Sequence, residues 1–125
     1  MLIRYKKSYE KIAMGLLSFV PSEKEIKALL HTVHCYEDEE EWQLFLWKAE
    51  EDIIGVIGVH FIQPKEAVIT HLSVNPSYRD EGIGKKMIIA LQKMLTDEMH
   101  LVPSEEIKAY FNHCFIDKEK EETGK

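Results

Sequence analysis

Apolar residues follow two different patterns along this chain, and each pattern predicts a different kind of secondary structure. In residues 9–19, and again in residues 23–34, they return every three or four positions, which is typical of one face of a helix. Ser22 followed by Glu25 matches a capping box, so we expect the second helix to begin at this point. The positions predicted to be buried in the two helices are Ile12, Leu16, Phe19, Ile26, Leu29, Leu30 and Val33.

Later segments are instead rich in β-branched and aromatic residues, which favour strands. Three such segments span residues 42–49, 53–62 and 67–74. The connectors between them are short and polar, so we expect hairpins and an antiparallel meander. Other elements are predicted as a first strand at 2–5, a helix at 82–94, a very short strand at 101–102 and a last helix at 104–114. The predicted fold class is therefore α+β.

The composition is that of one folded domain. The chain has 125 residues, of which 45% are hydrophobic and 30% are charged, so it carries enough apolar surface to form a single core. We expect the domain to span residues 1–115. Residues 116–125 are almost all polar, and we expect them to form a flexible tail.

Charge and hydropathy argue against several classes of partner. The formal net charge is -6, whereas nucleic-acid binding depends on lysine and arginine side chains that neutralise phosphates. No apolar run approaches the roughly 18 residues of a membrane-spanning helix, and the N-terminus lacks the apolar core of a secretory signal. We therefore expect no nucleic acid, no membrane and a cytoplasmic location. Cys35 and Cys114 lie far apart, so we expect no disulfide framework.

The segment VNPSYRDEGIGKKM, residues 74–87, predicts an anion-binding loop. A turn at Asn75 leads from a strand into a helix, so backbone N–H groups without intrahelical partners gather at the positive end of the helix dipole. Gly82 and Gly84 would let an anion approach the backbone closely. The spacing fits neither GxxxxGK[ST] nor GxGxxG. A phosphate-bearing ligand is the favoured interpretation, and a simple turn is the alternative.

A metal site is the alternative interpretation of one group of residues. His31, His34 and Cys35 fall at helical spacing, and the pair His113 and Cys114 could complete a set of ligands. Free cysteines are more often small core residues, and the two nearby histidines flank a predicted helix end. We expect no bound metal.

The segment RDEGIG, residues 79–84, matches (R/Q)xxGx(G/A), the acetyl-CoA signature of the GNAT superfamily of N-acetyltransferases. It follows HLSVNPSYR, which is similar to the strand and turn before that signature, and the predicted order of elements also resembles the family. The resemblance covers residues 1 to about 115. It implies an α/β/α-type fold with a mixed, mostly antiparallel central sheet flanked by helices. No clear pair of final strands follows Phe115, so we expect a fold truncated at its C-terminus.

The resemblance also implies that acetyl-CoA is the co-substrate. The pantetheine arm would pair with the backbone around Leu72, Ser73 and Val74, at a bulge that splays the sheet. The pyrophosphate would be bound mainly by backbone N–H groups of the loop. The loop residues implied are Arg79, Asp80, Glu81, Gly82, Ile83, Gly84 and Lys85.

For the chemistry, the resemblance implies acetyl transfer to an amine. The last helix contains IKAYFNHCF, in which Tyr110 matches the family's proton donor to the sulfur, although Cys114 replaces a glycine. The oxyanion donor would be the backbone N–H of Val74 or its neighbour. His71 is the candidate base, with a structural histidine, Glu66 or a chain of water molecules as alternatives.

The opening segment MLIRYKKSYEKIAMGLLSFVP and QLFLWK further resemble a branch of this family that is encoded with riboflavin-synthesis enzymes. This narrower resemblance implies a pathway but no acceptor, so a small molecule and a protein are both open as carriers of the amine. The sequence also leaves open whether the protein forms a homodimer. The alternative function is a CoA-binding regulatory module without turnover.

Overall fold

The computed structural model describes residues 1–62 and 64–117, so the predicted polar tail lies outside the described residues from position 118 onward. Within them, the chain forms strands β1 (Leu2–Arg4), β2 (Trp42–Ala49), β3 (Asp52–Ile62), β4 (Glu66–Val74) and β5 (His100–Pro103). The helices are α1 (Glu10–Leu17), α2 (Ile26–Asp38), α3 (Ile83–Met94) and α4 (Lys108–Asn112). Short 3₁₀ turns lie at Lys7–Tyr9, Pro21–Glu23 and Pro76–Tyr78, and a π-helical turn lies at His113–Asp117.

The strands form one mixed sheet in the order β1-β2-β3-β4-β5. Neighbours from β1 to β4 pair antiparallel, and β5 pairs parallel to β4 after the crossover through α3. The short connectors allow only antiparallel hairpins, whereas a parallel pair needs a longer crossover such as a helix. The predicted meander and the mostly antiparallel sheet are confirmed.

Helices cover both faces of the sheet. Alternation along β2 sends Leu44 and Leu46 toward α1 and α2, and Phe45 toward α3. On the first face the helical core residues are Ala13, Leu16, Leu17, Leu29, Val33 and Tyr36. On the second face they are Ile83, Met87, Ile88 and Leu91 of α3, with Ile107 next to α4. The arrangement is the expected α/β/α-type fold.

One bulge in β4 determines where the sheet opens. Gly58 pairs with His71 and Val59 pairs with Ile69, so the intervening Thr70 has no partner on β3. On its other edge β4 pairs with β5 from Glu66 to Ile69. The extra residue bends the strand and reverses which side chains face which helices. The bulge lies at Thr70, slightly before the positions that the resemblance implied.

The capping box predicted for the second helix is wrong. Glu25 is the N-cap residue of α2, and no side chain caps this helix. Pro21, with its fixed φ, begins a 3₁₀ turn that also holds Ser22 and Glu23, so the Glu23 side chain turns inward. As a result the buried face of α2 is set by Leu29, Thr32, Val33 and Tyr36.

Four of the predicted core positions are exposed, because they lie outside the buried faces of α1 and α2. Ile26 and Leu30 are 63% and 41% exposed, because they lie one turn apart on the face of α2 away from the sheet. On α1 the buried face is formed by Ala13, Leu16 and Leu17, so Ile12 is exposed. Phe19 lies beyond the end of α1 and is also exposed. The last predicted helix is α-helical only over Lys108–Asn112.

Candidate active site

A cleft of about 850 Å³ opens where β4 and β5 separate. One side is the end of β4 with the loop that leads into α3, and the other side comes from α4 and the turn that follows it. The segment after α1 closes one end. The lining residues are Phe19, Val20, Pro21, Thr70, Leu72, Ser73, Val74, Tyr78, Arg79, Asp80, Gly82, Ile83, Gly84, Lys85, Glu106, Ile107, Tyr110, His113 and Cys114.

The β4 edge presents backbone hydrogen-bonding groups to this cleft. The Asn75 N–H donates to the Ile54 carbonyl, 2.8 Å away on the β3 side. Because backbone groups alternate between the two edges of a strand, those of Leu72 and Val74 point away from β3. In agreement, the Val74 carbonyl accepts a hydrogen bond from Arg79 Nε at 3.3 Å. The resemblance predicts that a pantetheine arm would pair along this edge.

The N-terminus of α3 forms the far end of the cleft. Gly82 is the N-cap residue with φ 74°, a left-handed conformation that favours glycine, and Asp80 has φ 67°. The first bond of the helix runs from the Lys86 N–H to the Gly82 carbonyl at 3.1 Å. The preceding N–H groups therefore have no partner within the helix, as an anion site requires.

Side-chain charges of both signs flank this helix end. Arg79 and Lys85 bring positive charge to the cleft, and Asp80 and Glu106 bring carboxylates. The Lys85 ammonium lies 5.7 Å from the centroid of the ring of Phe115, which belongs to the turn after α4. The predicted loop residues thus lie together on the cleft wall, except for Glu81, which is exposed and does not line the cleft.

Tyr110 of α4 lies across the cleft from this loop. Its hydroxyl packs against Gly84, so closely that a Cβ at position 84 would overlap it. Burial raises the pKa of the Tyr110 hydroxyl, the neighbouring Cys114 thiol raises it further, and the Lys85 backbone N–H partly opposes both effects. The hydroxyl therefore keeps its proton at neutral pH.

His71, the candidate base, does not line the cleft. The bulge turns its side chain into the layer of α1 and α2, where it is buried. There its ring contacts Glu23 and Tyr36, which are also buried. Glu66, the alternative base, is exposed at the opposite end of β4 and also lies outside the cleft.

Sequence reasoning missed Thr70 on the cleft wall and two residues, Glu23 and Tyr36, that contact His71 behind it. Thr70 was not singled out, because a bulge is a matter of strand register and has no side-chain signature. Glu23 was interpreted as a residue of a capped helix, which hid its burial. The only available signal for Tyr36 was a glycine in the facing strand. A Cβ at Gly58 would overlap the Tyr36 hydroxyl, so that glycine marks where the ring enters.

In the described ranges, 1–62 and 64–117, no group of three or more histidine, cysteine, aspartate or glutamate side chains is placed to hold a metal ion. His31 and Cys35 do meet, with Nε2 and Sγ 3.7 Å apart, but as a pair only. No described helix has the length and apolar character needed to cross a membrane.

The chain is similar to known proteins along most of its length. The model of the Acetyltransferase (GNAT) family matches residues 11–115. A Bacillus methanolicus protein named uncharacterized N-acetyltransferase in lysA 3′ region is 56% identical over 116 residues, covering 93% of this chain and 96% of the relative.

Solved structures share the fold at low sequence identity. A possible acetyltransferase from Clostridium difficile 630 superposes with a TM-score of 0.73 at 12% identity, over 90% of this chain and 86% of that one. AAC(6′)-Iy, solved in complex with the bisubstrate analogue CoA-S-monomethyl-acetylneamine, gives a TM-score of 0.71 at 16% identity, with the same two coverages.

Proposed function

The chain belongs to the acetyltransferase (GNAT) family, and we propose that it is an acetyl-CoA-dependent N-acetyltransferase. The observation that carries this proposal is the separation of β4 from β5, which leaves the backbone groups of Leu72 and Val74 facing a cleft that ends at α3. A pantetheine arm contains amide groups of its own. It can therefore pair with this edge as an added strand would.

The pyrophosphate of CoA would lie at the N-terminus of α3. The N–H groups of Ile83, Gly84 and Lys85 precede the first bond of the helix, and the helix dipole adds a favourable potential for an anion. Arg79 and the Lys85 side chain add full positive charges near the same point. The β4 edge, the loop before α3 and the positive charges of Arg79 and Lys85 together fit acetyl-CoA better than a simple phosphate ester.

Acetyl transfer requires stabilisation of the thioester oxygen as it becomes an oxyanion. We assign this role to a cleft-facing backbone N–H, from Leu72 or Val74. The leaving thiolate needs a proton, which we assign to Tyr110, since its side chain lines the cleft and its hydroxyl is protonated at neutral pH. The hydroxyl lies over Gly84, so proton transfer to the sulfur would require the side chain to shift along the cleft.

The acceptor would approach from the end of the cleft formed by Phe19, Val20 and Pro21. These three residues are apolar, so this wall fits an amine carried on an apolar or flat group better than a polycation. The sequence resembles the riboflavin-operon protein RibT, and this resemblance makes amine-bearing riboflavin precursors the first acceptors to test.

Two measurements test the proposal together. Calorimetric titration measures acetyl-CoA binding, and thiol detection measures CoA release with a panel of amines: spermidine, L-lysine, sisomicin and amine-bearing riboflavin precursors. We expect binding and release with at least one amine. Binding without release for every amine would support the regulatory module instead. Failure to bind acetyl-CoA would contradict both functions.

A further inference from the structure

A chain of hydrogen-bonded side chains runs from the cleft wall into the layer of α1 and α2. It begins at Thr70, which lines the cleft and whose Oγ1 is hydrogen-bonded to the Tyr36 hydroxyl. That hydroxyl also contacts His71 Nδ1. On the other side of the ring, His71 Nε2 lies 2.9 Å from Glu23 Oε1. The acetyl-CoA site described above uses none of these side-chain contacts.

The carboxylate at the inner end of this chain is unusual for a protein core. Glu23 is 5% exposed and accepts a second hydrogen bond from the Thr32 hydroxyl at 2.7 Å. Its Oε2 is buried and has no hydrogen-bond partner among the residues that the structure describes. Burying a carboxylate is costly unless an opposite charge lies nearby. The side chain placed to carry that charge is His71, when its ring is protonated on both nitrogens.

With a neutral imidazole, one arrangement of protons satisfies every contact in the chain. Glu23 accepts only, so Nε2 must carry the proton and donate to it. Nδ1 then accepts from the Tyr36 hydroxyl, and the Tyr36 oxygen accepts from the Thr70 hydroxyl. The Thr70 oxygen retains lone pairs that can accept a hydrogen bond from a group in the cleft.

With a protonated imidazole, the same heavy atoms form the same contacts with the protons reversed. Nδ1–H now donates to Tyr36, and Tyr36 donates to Thr70, while Nε2–H still donates to Glu23. The two states differ by one proton, and no side chain has to move between them. A proton can therefore pass from the cleft to the ring along existing hydrogen bonds.

The β4 bulge is what makes this chain possible. The inserted Thr70 stays beside the cleft, while the next residue, His71, turns toward α2. The strand opposite His71 carries Gly58, and the absence of a side chain there admits the Tyr36 ring. The bulge thus joins the cleft to a buried carboxylate across the sheet.

We propose that Thr70, Tyr36, His71 and Glu23 form a proton relay that takes the proton of the acceptor amine. This inference rests on the proposed acetyl transfer. Thr70 would be the catalytic contact with the amine, and Tyr36, His71 and Glu23 would be positioning residues that act through it. His71 is then the base, and two side chains, Thr70 and Tyr36, separate it from the substrate.

The step balances in atoms and charges. The amine nitrogen forms a bond to the acetyl carbon, and the carbon–sulfur bond breaks to release CoA as a thiolate. The nitrogen gives its proton to Thr70 Oγ1 while Thr70 passes its own to Tyr36 and Tyr36 passes its own to His71 Nδ1. The thiolate takes one proton from Tyr110. The imidazolium later releases its proton through the relay to water in the cleft, and water returns a proton to the Tyr110 phenolate.

The first test needs no acceptor. The ¹⁵N spectra of the histidine-labelled protein, with His71 assigned through His71→Gln, report which ring nitrogen carries the proton. We expect neutral His71 to be protonated on Nε2 and bare on Nδ1. A neutral form protonated on Nδ1 would overturn the relay, because Tyr36 could not then donate to the ring.

The second test uses the panel amine that gives the highest rate of CoA release. Tyr36→Phe and Thr70→Val each remove one hydroxyl of the relay. Each should lower kcat about 100-fold and leave the calorimetric affinity for acetyl-CoA unchanged. Thr70→Ser, which retains the hydroxyl, should restore most of the rate. Tyr5→Phe is the matched control, because Tyr5 also donates to a carboxylate, Glu37, but lies outside the cleft.

The dependence of kcat on pH separates the relay from a merely structural network. The titratable groups that face His71 are Glu23 and Tyr36, and its neighbour on β3 is Gly58. Glu23→Gln removes the negative charge beside the imidazolium, so the rising limb of the profile should move to lower pH and the plateau should fall. Tyr36→Phe should remove that limb.

The outcomes distinguish this inference from the proposed function. If the wild type releases CoA and Tyr36→Phe matches it in both kcat and pH profile, the relay is wrong and the acetyl transfer stands. If the wild type releases no CoA with any amine, the transferase proposal fails and the relay fails with it.

Discussion

The Tyr110 hydroxyl of α4 packs directly against Gly84 in the first turn of α3. The contact joins the two walls of the cleft at the point where the pyrophosphate of CoA is proposed to bind. It also explains the second glycine of RDEGIG, since any Cβ at this position would meet the tyrosine oxygen. The first glycine has a different reason, because no atom lies within 4 Å of a Cβ built on Gly82, and its positive φ sets the requirement.

The contact between Tyr110 and Gly84 predicts whether Gly84→Ala raises or lowers the free energy of unfolding. Glycine in a helix usually costs about 1 kcal/mol relative to alanine, so Gly→Ala normally stabilises. At position 84 the added methyl group meets the far end of the Tyr110 side chain, which can shift, and we expect Gly84→Ala to lower the free energy of unfolding by no more than about 1 kcal/mol. In a Tyr110→Ala background the same change should be neutral or stabilising. Chemical denaturation of the four proteins measures the difference.

Gly15, within α1, provides the matched control for that cycle. A Cβ there would meet nothing within 4 Å, so Gly15→Ala should stabilise the protein by about 0.5–1 kcal/mol. Equal effects of Gly84→Ala with and without Tyr110 would show that the two residues do not touch.

A second prediction concerns the anion site. Gly82→Asn and Gly82→Asp place side chains of nearly equal size at a position with φ 74°, which both residues tolerate better than most. They differ in charge, so the aspartate variant should bind CoA at least ten times more weakly than the asparagine variant. Calorimetric titration at low and high salt checks this, because the gap should narrow as ions screen the charge. Equal affinities of the two variants would show that the pyrophosphate of CoA does not bind at the N-terminus of α3.

The order of elements was predictable from the sequence because periodicity is a local property. The aromatic-rich composition of residues 42–49 predicted β2 with the bounds that the structure shows, and the helical spacing of α3 was predicted to within one residue. The start of α2 was wrong, because Ser22 and Glu25 satisfy the capping pattern while Pro21 directs the backbone into a 3₁₀ turn. The residue pattern alone does not show whether the capping pattern or the turn at Pro21 determines the start of the helix.

Much of the candidate site was predictable for the same reason. The residues from Arg79 to Lys85 are contiguous, and a loop before a helix presents its N–H groups whatever the rest of the fold does. The relay is different, because Glu23, Tyr36 and Thr70 come from three elements that only the folded chain brings together. Their contacts depend on the β4 bulge, and the strand's residue pattern does not show it.

A third prediction separates binding from chemistry at Tyr110. Tyr110→Phe keeps the ring and removes the proposed proton donor, so kcat should fall about 10-fold or more while the affinity for acetyl-CoA is unchanged or increased. An increase would follow because the hydroxyl that is removed lies over Gly84, beside the proposed pyrophosphate site. The rate of CoA release and the calorimetric affinity measure the two effects. An unchanged kcat would rule out Tyr110 as the acid.

The last prediction concerns a carboxylate away from the cleft. Tyr5 donates a hydrogen bond to Glu37 Oε2 at 2.7 Å, and the Lys7 ammonium donates to Oε1 at 3.2 Å. Burial alone would raise the pKa of Glu37, but these two donors outweigh it and the net shift lowers the pKa. Glu40 in the following loop is exposed, which makes Glu40→Gln the matched control for Glu37→Gln.

A folded-state pKa below the unfolded value means that ionised Glu37 stabilises the fold at neutral pH and that this contribution disappears as the carboxylate is protonated. Glu37→Gln should therefore lower the free energy of unfolding by about 1 kcal/mol at pH 7. The difference from wild type should shrink as the pH falls below about 4.3, the ordinary pKa of glutamate. Urea denaturation at a series of pH values measures both, and a difference that persists at pH 3 would mean that shape rather than charge holds this contact.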